Sequence, residues 1–314
     1  MAVNSKAIKQ RIKSVKNTKK MTKAMEMVSA AKMRKAVQGT LATRSYAVMA
    51  RELMEALSAG IEVQSPLLEY RPVARLLVVL ISSNRGLCGS FNANIFKKAR
   101  QILREKQSLG RHRTARGETI EPAAEIAIDI LGVGKKSAWF ARQSGYPLVA
   151  AFDELSERPT FEEIIPITRF VMDAFSQKTY DKVAVLFTDY KSSLAQEVKV
   201  RQLLPISAHD LEKMLRDSVG DAGDPRGIDS EHYVFEPSPS LIVQTVLPRL
   251  AEVQLYQGIL ESAASEHSAR MVAMKSATEA AGEMIDMLTL EFNKARQASI
   301  TQEIAEIAGG AAAL

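Results

Sequence analysis

The sequence predicts an α/β fold: long N- and C-terminal helices that pair as an antiparallel coiled coil, and between them an α/β domain with a mostly parallel sheet. The first 57 residues contain no proline and only one glycine, Gly39, among strong helix formers. After Pro248 only Gly258 and Gly282 interrupt the stretch that ends at Ala308. In the middle of the chain, short apolar runs alternate with helical patterns, which is typical of a parallel sheet covered by helices. These patterns predict domains at residues 1–60, 72–238 and 239–314.

The N-terminal helix carries apolar residues in triplets with coiled-coil spacing. The triplets are Ile8, Ile12 and Val15, then Met21, Met25 and Val28, then Met49, Leu53 and Leu57. The phase of the stripe shifts between triplets, so we expect a seam that changes direction along the helix.

The C-terminal helix, predicted from Leu241 to Ala308, would span roughly 100 Å at about 1.5 Å per residue. A compact domain cannot bury a helix of this length, so it must project, pair with another helix or enter a partner. Its 3,4 alternation is steadier and predicts one seam of small or flexible residues: Leu260, Ala264, His267, Met271, Met274, Thr278, Ala281, Ile285, Leu288, Phe292 and Ala295.

Charge favours pairing of the two helices. The chain has a net charge of +6, but residues 1–57 carry a net +10 and residues 241–314 a net −4. A basic helix beside an acidic one favours antiparallel association, although each exposed ion pair adds only tenths of a kcal/mol. The longer C-terminal helix would then overhang its partner.

The middle of the chain predicts a Rossmann-like domain. Its strands and helices alternate: strand 76–81, helix 92–106, strand 125–131, helix 135–143, strand 147–152, helix 161–177 and strand 182–188. Residues 196–205 and 233–236 are predicted as closing strands. Residues 111–121 and 209–231 are polar and rich in Gly or Asp, so we expect mobile loops there, to which the sequence assigns no role.

Two glycine motifs resemble phosphate-binding loops but depart from them. The segment Gly132-Val133-Gly134-Lys135-Lys136-Ser137 has Asp129 where a P-loop needs its early glycine, and Lys136 at the Ser/Thr site. Gly86 and Gly89 follow a strand, yet Asn84 occupies the first glycine of the dinucleotide motif. A plain strand-to-helix turn is the favoured interpretation of the Gly86 loop, and the first segment is not expected to be a P-loop.

The sequence contains no constellation of residues that would build a catalytic or metal site. The four histidines are scattered, and none pairs with another at metal-ligand spacing. Cys88 is the only cysteine, which excludes an internal disulfide or thiol switch. No apolar run is long enough to cross a bilayer, and lysines break any signal-peptide core at the N-terminus. We expect neither a cofactor nor a metal, and no catalysis by this chain.

The basic N-terminal helix leaves two alternatives open. Its lysines could bind the phosphates of a nucleic acid, although no aromatic residue precedes Tyr46 to stack on bases. The same lysines could instead meet acidic protein surfaces. A Rossmann enzyme with helical appendages is a third possibility.

Three segments resolve these alternatives through a resemblance. Residues 12–34, from Ile12 through Met25-Glu26-Met27-Val28 to Arg34, resemble the N-terminal helix of the gamma subunit of F-type ATP synthases of the bacterial type. Residues 292–304, Phe-Asn-Lys-Ala-Arg-Gln-Ala-Ser-Ile-Thr-Gln-Glu-Ile, are similar to that family's C-terminal signature. Residues 83–89, Ser-Asn-Arg-Gly-Leu-Cys-Gly, match its loop after the first strand.

The resemblance implies a central rotor shaft. In this family the paired helices stand inside a hexamer of three alpha and three beta subunits, and the α/β domain contacts the epsilon subunit and the c-subunit ring. Proton flow turns the ring and the shaft, which changes the conformations of the catalytic beta subunits in sequence. Nucleic acid is then not expected as a partner. The expected location is peripheral, on the cytoplasmic face of the cell inner membrane, with H⁺ as the assumed coupling ion.

The resemblance also implies partner-binding residues. Arg296, Gln297 and Thr301 match positions that hydrogen-bond a beta-subunit loop, and Arg85 with Cys88 matches a turn that faces a beta-subunit acidic segment. Lys9, Lys13, Lys20 and Lys23 are expected to meet acidic lobes of beta, and Leu203, Leu204 and Pro205 to lie near the c ring. The small, uncharged residues 307–314 suit a tip that turns with little adhesion.

Overall fold

The computed structural model describes residues 5–58, 65–113, 119–207 and 239–312. Its contacts divide the chain into two compact units, Met1–Ala30 with Arg270–Leu314, and Ala31–Ala269. These divisions differ from the predicted boundaries near 60 and 239, because each terminal helix contributes residues to both units.

The two long terminal helices are present. Helix α1 runs over Ser5–Ser58 and the last helix, α6, over Pro239–Ala312. Helix α6 starts two residues before the predicted Leu241 and continues through Pro248.

The second unit contains a five-stranded sheet. Its strands are β1 (Arg75–Ile81), β4 (Ala127–Val133), β5 (Leu148–Phe152), β6 (Lys182–Tyr190) and β7 (Gln196–Leu204). The strand order is β5-β4-β1-β6-β7, with β7 antiparallel to β6 and the other neighbours parallel. In the register, Val78 of β1 lies between Ile130 of β4 and Ala184 of β6. The mostly parallel sheet of the prediction is confirmed.

Helices cover both faces of this sheet. Helices α2 (Phe91–Arg104) and α4 (Lys135–Ser144) pack on one face through residues such as Ile95 and Phe140. Helix α5 (Phe161–Ser176) and the early part of α6 pack on the other, with Val171 and Leu255 among the contacts. Strand β1 is buried from Leu76 to Ile81, because a central parallel strand is covered on both faces.

Local sequence signals set several element ends. The Glu163 carboxylate accepts a 3.0 Å hydrogen bond from the Thr160 backbone N–H at the start of α5. Helix α4 ends at Gly145, whose φ of 73° is left-handed and favours glycine. A short 3₁₀ helix, Pro66–Leu68, precedes the sheet.

The region of 111–121 differs from its prediction as a loop. A short helix, α3 (Lys106–Gly110), leads into strand β2 (His112–Arg113), which pairs antiparallel with strand β3 (Thr119–Ile120). Buried His112 anchors this hairpin, with its Nδ1 3.3 Å from Gln202 Oε1. The predicted loop 209–231 and the predicted strand 233–236 lie outside the described residues.

The predicted seam of α6 is confirmed. All eleven seam residues from Leu260 to Ala295 are buried or half-buried, whereas most of their neighbours beyond residue 274 are exposed. The period-3.5 pattern alone located this face of the helix.

The predicted seam of α1 is wrong at two residues of its second triplet, whereas Met25, the third, is half-buried. Met21 and Val28 are exposed, whereas Thr22 and Ser29 are buried. The seam keeps one phase from Ile8 onward, because small polar residues take over from apolar ones. Thr278 Oγ1 donates to Thr22 Oγ1 at 2.8 Å, so short side chains hold the two helices at close range.

Within the unit of Met1–Ala30 and Arg270–Leu314, α1 and α6 pair antiparallel. Thr22 meets Thr278, and the earlier residue Lys19 meets the later residue Gly282. A Cβ at position 282 would lie 2.9 Å from Lys19 Nζ, so glycine leaves room for the lysine side chain to cross the seam. The third triplet, Met49, Leu53 and Leu57, has side chains outside the described set.

Candidate partner-binding surfaces

The predicted lysines of α1 line a groove of about 1400 Å³. Lys9, Lys13, Lys20 and Lys23 are all exposed. The groove is lined by basic side chains along with apolar ones: Lys6, Lys9, Gln10, Ile12, Lys13, Lys16, Asn17, Lys19, Lys20, Lys23, Ala24, Met27, Thr278 and Ile285. Such a groove suits an acidic, partly apolar protein segment.

The turn after β1 is built by its own side chains. Asn92 Nδ2 donates to Ser83 Oγ at 2.7 Å, and Ser83 Oγ donates to the Arg85 carbonyl at 2.7 Å. Leu87 (φ 61°) and Gly89 (φ 55°) take left-handed conformations that fold the turn back. As a result Arg85 and Leu87 point into solvent. Sequence reasoning missed Ser83 and Asn92, since their role depends on this closed geometry.

The side chain of Cys88, a predicted partner-binding residue, is buried, and its partner-binding role stays a prediction. The residue is 3% exposed, and Asn92 Nδ2 lies 3.2 Å from its Sγ. The thiol fills the inside of the turn, where a small hydrophobic group packs well. Cys88 therefore supports the turn that presents Arg85.

Arg85 takes part in an ion-pair network that the sequence did not reveal. Arg85 Nη1 lies 3.1 Å from Glu157 Oε1, and the other carboxylate oxygen of Glu157 pairs with Lys32 of α1. The hydrogen bond from Lys32 lowers the pKa of Glu157 below its ordinary value, with a smaller contribution from the Arg85 charge. Lys32 and Glu157 are 125 residues apart, so no local pattern could link them.

The predicted contact of Leu203, Leu204 and Pro205 with a c ring cannot use these side chains in this structure. All three are buried. Leu203 and Leu204 belong to the hydrophobic core between the sheet and its helices. An apolar Leu-Leu-Pro run resembles an exposed docking patch in sequence, but here it ends the last strand and faces inward.

Arg296, Gln297 and Thr301 are exposed on α6. Gln297 and Thr301 are four residues apart, so they are neighbours on one surface of the helix, and Arg296 precedes them. From residue 289 to 311 only Phe292 and Ala295 are half-buried, and the others are exposed. These polar groups are therefore available to a partner.

The segment from Gly132 to Ser137 does not form a phosphate cradle. The Lys135 N–H donates to Asn84 Oδ1 at 3.0 Å and the Lys136 N–H to the Ser83 carbonyl at 3.2 Å. A Cβ at Gly134 would lie 2.2 Å from the Ser82 carbonyl oxygen, so glycine here permits two loops to approach closely. The amides that a phosphate would need are already bonded within the protein.

These features define a class of protein: one with long, paired terminal helices, an α/β domain and exposed surfaces suited to partner subunits. No helix in the described ranges is both long and apolar enough to cross a membrane. The family model for ATP synthase matches residues 4–314, and the chain belongs to this family, as one of its gamma chains.

Relatives that match over nearly the whole chain support this assignment. The chain is 38% identical over 315 residues to the ATP synthase gamma chain of Chloroflexus aurantiacus, which covers 99% of both chains. It is 41% identical over 308 residues to the gamma chain of Heliobacterium modesticaldum, with 98% of both covered. The predicted family, the gamma chains of ATP synthase, is confirmed.

Solved structures share the fold. A chain of the Euglena gracilis mitochondrial ATP synthase, from a complex described as OSCP/F1/c-ring, matches with a TM-score of 0.62 at 18% identity and covers 98% of this chain and 94% of that chain. A chain of the Tetrahymena thermophila mitochondrial central stalk and c ring matches with a TM-score of 0.55 at 22% identity, covering 82% and 99%.

Proposed function

We propose that this chain is the rotor shaft of a proton-translocating ATP synthase, coupling rotation of a c-subunit ring to conformational cycling of catalytic beta subunits. The observation that carries the proposal is the exposed stretch of α6 at residues 289–311. The stretch spans roughly 35 Å at about 1.5 Å per residue, and it needs a partner around it.

An apolar stripe supports enclosure of this stretch by other subunits. Ile300, Ile304 and Ile307 are exposed and follow i, i+4, i+7 spacing, so they share one face of the helix. Contiguous exposed apolar surface marks an interaction site. An alpha3beta3 hexamer would shield the stripe, while the small residues after Ile307 would turn against it with little adhesion.

Three polar surfaces would transmit torque. Arg296, Gln297 and Thr301 would hydrogen-bond a beta-subunit loop. The lysine groove of α1, with Lys9, Lys13, Lys20 and Lys23, would meet acidic lobes of beta, and the exposed Arg85 would meet a beta-subunit acidic segment. Charge complementarity of this kind favours fast association and fixed register more than raw affinity.

The α/β domain would contact the epsilon subunit and the c ring. The chain would then be a peripheral protein on the cytoplasmic face of the cell inner membrane, with H⁺ as the coupling ion. The buried Leu203, Leu204 and Pro205 leave the c-ring contact to other residues of this domain.

Reconstitution tests the proposal. Alpha and beta subunits assembled with this chain should hydrolyse ATP faster than without it, and the full complex in vesicles should pump protons. Arg296→Ala should lower proton pumping per ATP hydrolysed about tenfold, the effect of about 1.4 kcal/mol for a lost charged hydrogen bond.

Lys294→Ala is the matched control, because it removes an equal charge from an exposed position two residues away, on another side of α6. Deleting residues 309–314 should also matter less than Arg296→Ala, since the tip would slide more than it grips. Equal pumping by the Arg296→Ala and wild-type complexes would remove Arg296 from the proposal. Failure to assemble with alpha and beta, together with salt-sensitive binding to duplex DNA, would overturn the rotor role itself.

A further inference from the structure

A strongly basic surface covers α2 and α4, the helical layer on one face of the sheet. Neither helix contains an acidic residue. Together they carry seven exposed basic side chains: Lys97, Lys98, Arg100, Arg104, Lys135, Lys136 and Arg142. Within the residues that the structure describes, none of the seven forms an ion pair. We call this layer the α2/α4 face.

An exposed indole lies within this basic surface. Trp139 is 52% exposed, and Lys135, Lys136 and Arg142 stand four before, three before and three after it on α4. Residues at these spacings are neighbours on a helix surface. The indole is therefore flanked by positive charge along its own helix.

Aromatic contacts link the indole to α2. The Trp139 ring lies 6.1 Å from the Phe96 ring of α2, and Phe96 stacks on Phe140 at 4.9 Å. The Arg100 guanidinium lies 5.4 Å above the Phe140 ring and donates to Gln143 Oε1 at 3.3 Å. These contacts join α2 to α4, so their side chains form one continuous surface.

The opposite face of the sheet provides a contrast. Helix α5 carries Glu162, Glu163 and Asp173 against a single base, Arg169. It also has an exposed aromatic residue, Phe170. Helix α5 is therefore acidic on balance, whereas α2 and α4 carry only basic charges. Like charges held this close repel one another, a cost that an anionic partner would offset.

We propose that the α2/α4 face binds the anionic phospholipid headgroups of a membrane, with Trp139 at headgroup depth. Lysines and arginines extend their charges to headgroups while their stems stay on apolar surface, and an amphipathic indole is favoured at that interface. Basic side chains that form no ion pair within the described residues suit a fluid anionic layer better than a protein with fixed carboxylates. The proposal does not depend on the rotor role, since it uses a different surface.

The tryptophan supplies its own assay. The chain contains one Trp, so its fluorescence reports Trp139 alone. The full-length chain is mixed with phosphatidylcholine vesicles with or without phosphatidylglycerol, and emission and cosedimentation are measured. We expect a blue shift and cosedimentation only with phosphatidylglycerol, both weakening as salt rises.

Variants assign the binding to the face. Each basic residue neutralised should weaken binding about fivefold, which corresponds to about 1 kcal/mol. A four-lysine variant should therefore weaken vesicle binding by several hundredfold. It combines Lys97→Gln, Lys98→Gln, Lys135→Gln and Lys136→Gln. Trp139→Phe should keep most of the affinity, and Trp139→Ala should lose about tenfold in cosedimentation.

Matched controls exclude other causes. Arg169→Gln with Phe170→Ala, on the opposite face, should leave binding unchanged, as should Lys9→Gln with Lys13→Gln in the α1 groove. Unchanged urea midpoints show that the variants fold. The four-lysine variant should still stimulate ATP hydrolysis by alpha and beta, so this proposal and the rotor role can fail separately.

Two outcomes would overturn the proposal. One is equal binding to vesicles with and without phosphatidylglycerol. The other is a Trp139 shift with polyglutamate but not with phosphatidylglycerol vesicles, which would assign the face to an acidic protein.

Discussion

Two stretches of the same helix, residues 247–268 and 289–311 of α6, differ almost completely in burial. The first includes buried polar residues such as Gln257, Glu261 and Ser265, and the second includes exposed apolar residues such as Ile304. The polarity of these particular side chains alone would favour the opposite environments. Burial in α6 is therefore decided by what packs on the helix, and the second stretch has the composition of a surface that a partner covers.

Two serines of the first stretch form polar contacts in their buried positions. Ser265 Oγ donates to the Thr188 carbonyl at 3.2 Å, and Ser268 Oγ donates to the Ser193 carbonyl at 2.8 Å. These bonds satisfy backbone groups at the end of β6 and in the turn that follows it. Burial raises the pKa of Glu261, although Arg201 lies 3.9 Å away and acts in the opposite direction.

The largest expected effect is on core packing. Leu255 is 0% exposed and Ile304 is 61% exposed. Leu255→Ala should lower the free energy of unfolding of the isolated chain by about 2–5 kcal/mol, because it leaves a cavity in the core. Ile304→Ala should change it by less than about 0.5 kcal/mol. Urea unfolding of both variants measures the difference.

The two substitutions should rank in the opposite order when binding to alpha and beta subunits is measured. Ile304→Ala should weaken binding to alpha and beta subunits, whereas Leu255→Ala should act only through folding. Similar losses of stability for the two isolated variants would mean that residues 289–311 pack on the chain itself, which would contradict their exposure.

Two glycines give effects of opposite sign. Gly134 has φ of 90° and its Cβ would clash with the Ser82 carbonyl, so Gly134→Ala should cost about 2–4 kcal/mol of stability. Gly309 is helical, and a Cβ there meets nothing within 4 Å. Gly309→Ala should be neutral or stabilise α6 locally by up to about 1 kcal/mol. Thermal unfolding and amide exchange at the helix end distinguish the two, and stabilisation by Gly134→Ala would contradict the close approach.

Acid should act on the α/β unit through His112. Burial, assisted by the charge of Lys182, lowers the pKa of His112 to about 4 from an ordinary 6.5. The unfolded chain then binds a proton that the folded chain excludes, so the stabilisation is complete above pH 6.5 and is lost as pH falls toward 4. We expect a loss of about 1–3 kcal/mol over this window.

Urea unfolding between pH 7 and pH 4 measures this loss. His112→Gln keeps a polar side chain that does not titrate there, so it should flatten this part of the profile. Residues 289–311 contain no histidine and are mostly exposed. Their amide protection should therefore not change over this pH range. An unchanged profile in His112→Gln would assign the acid sensitivity to other groups.

Periodic patterns predicted most of the fold. The α6 seam from Leu260 to Ala295 followed from 3,4 spacing, and strand β1 from its apolar run, because both patterns are local consequences of helix and strand geometry. The α1 seam failed at Met21 and Val28, since a search for apolar residues overlooks a seam made of Thr22 and Ser29. Close antiparallel packing favours short side chains at these positions, whether they are polar or apolar.

The candidate site was less predictable, because exposure depends on residues far apart in sequence. Motif matching placed Arg85 and Cys88 together, yet the turn exposes the first and buries the second. It also selected Leu203 and Leu204, whose side chains fill the core. The Lys32–Glu157–Arg85 network joins three segments that no periodicity connects.

The smallest expected effect concerns the part of α1 around Lys32, which either ion pairs or packing could hold in place. Glu157→Gln removes the charge that pairs with Lys32 and Arg85, and should cost only about 0.5–1 kcal/mol because the carboxylate is partly exposed. Since the pKa of Glu157 is lowered, its contribution is present above the ordinary carboxyl range and is lost in acid. Glu154→Gln, three residues earlier and also exposed, is the control and should change nothing. A cost above about 3 kcal/mol would contradict this expectation and would mean that packing around Lys32 depends on the ion-pair network, because a partly exposed pair alone cannot supply that much energy.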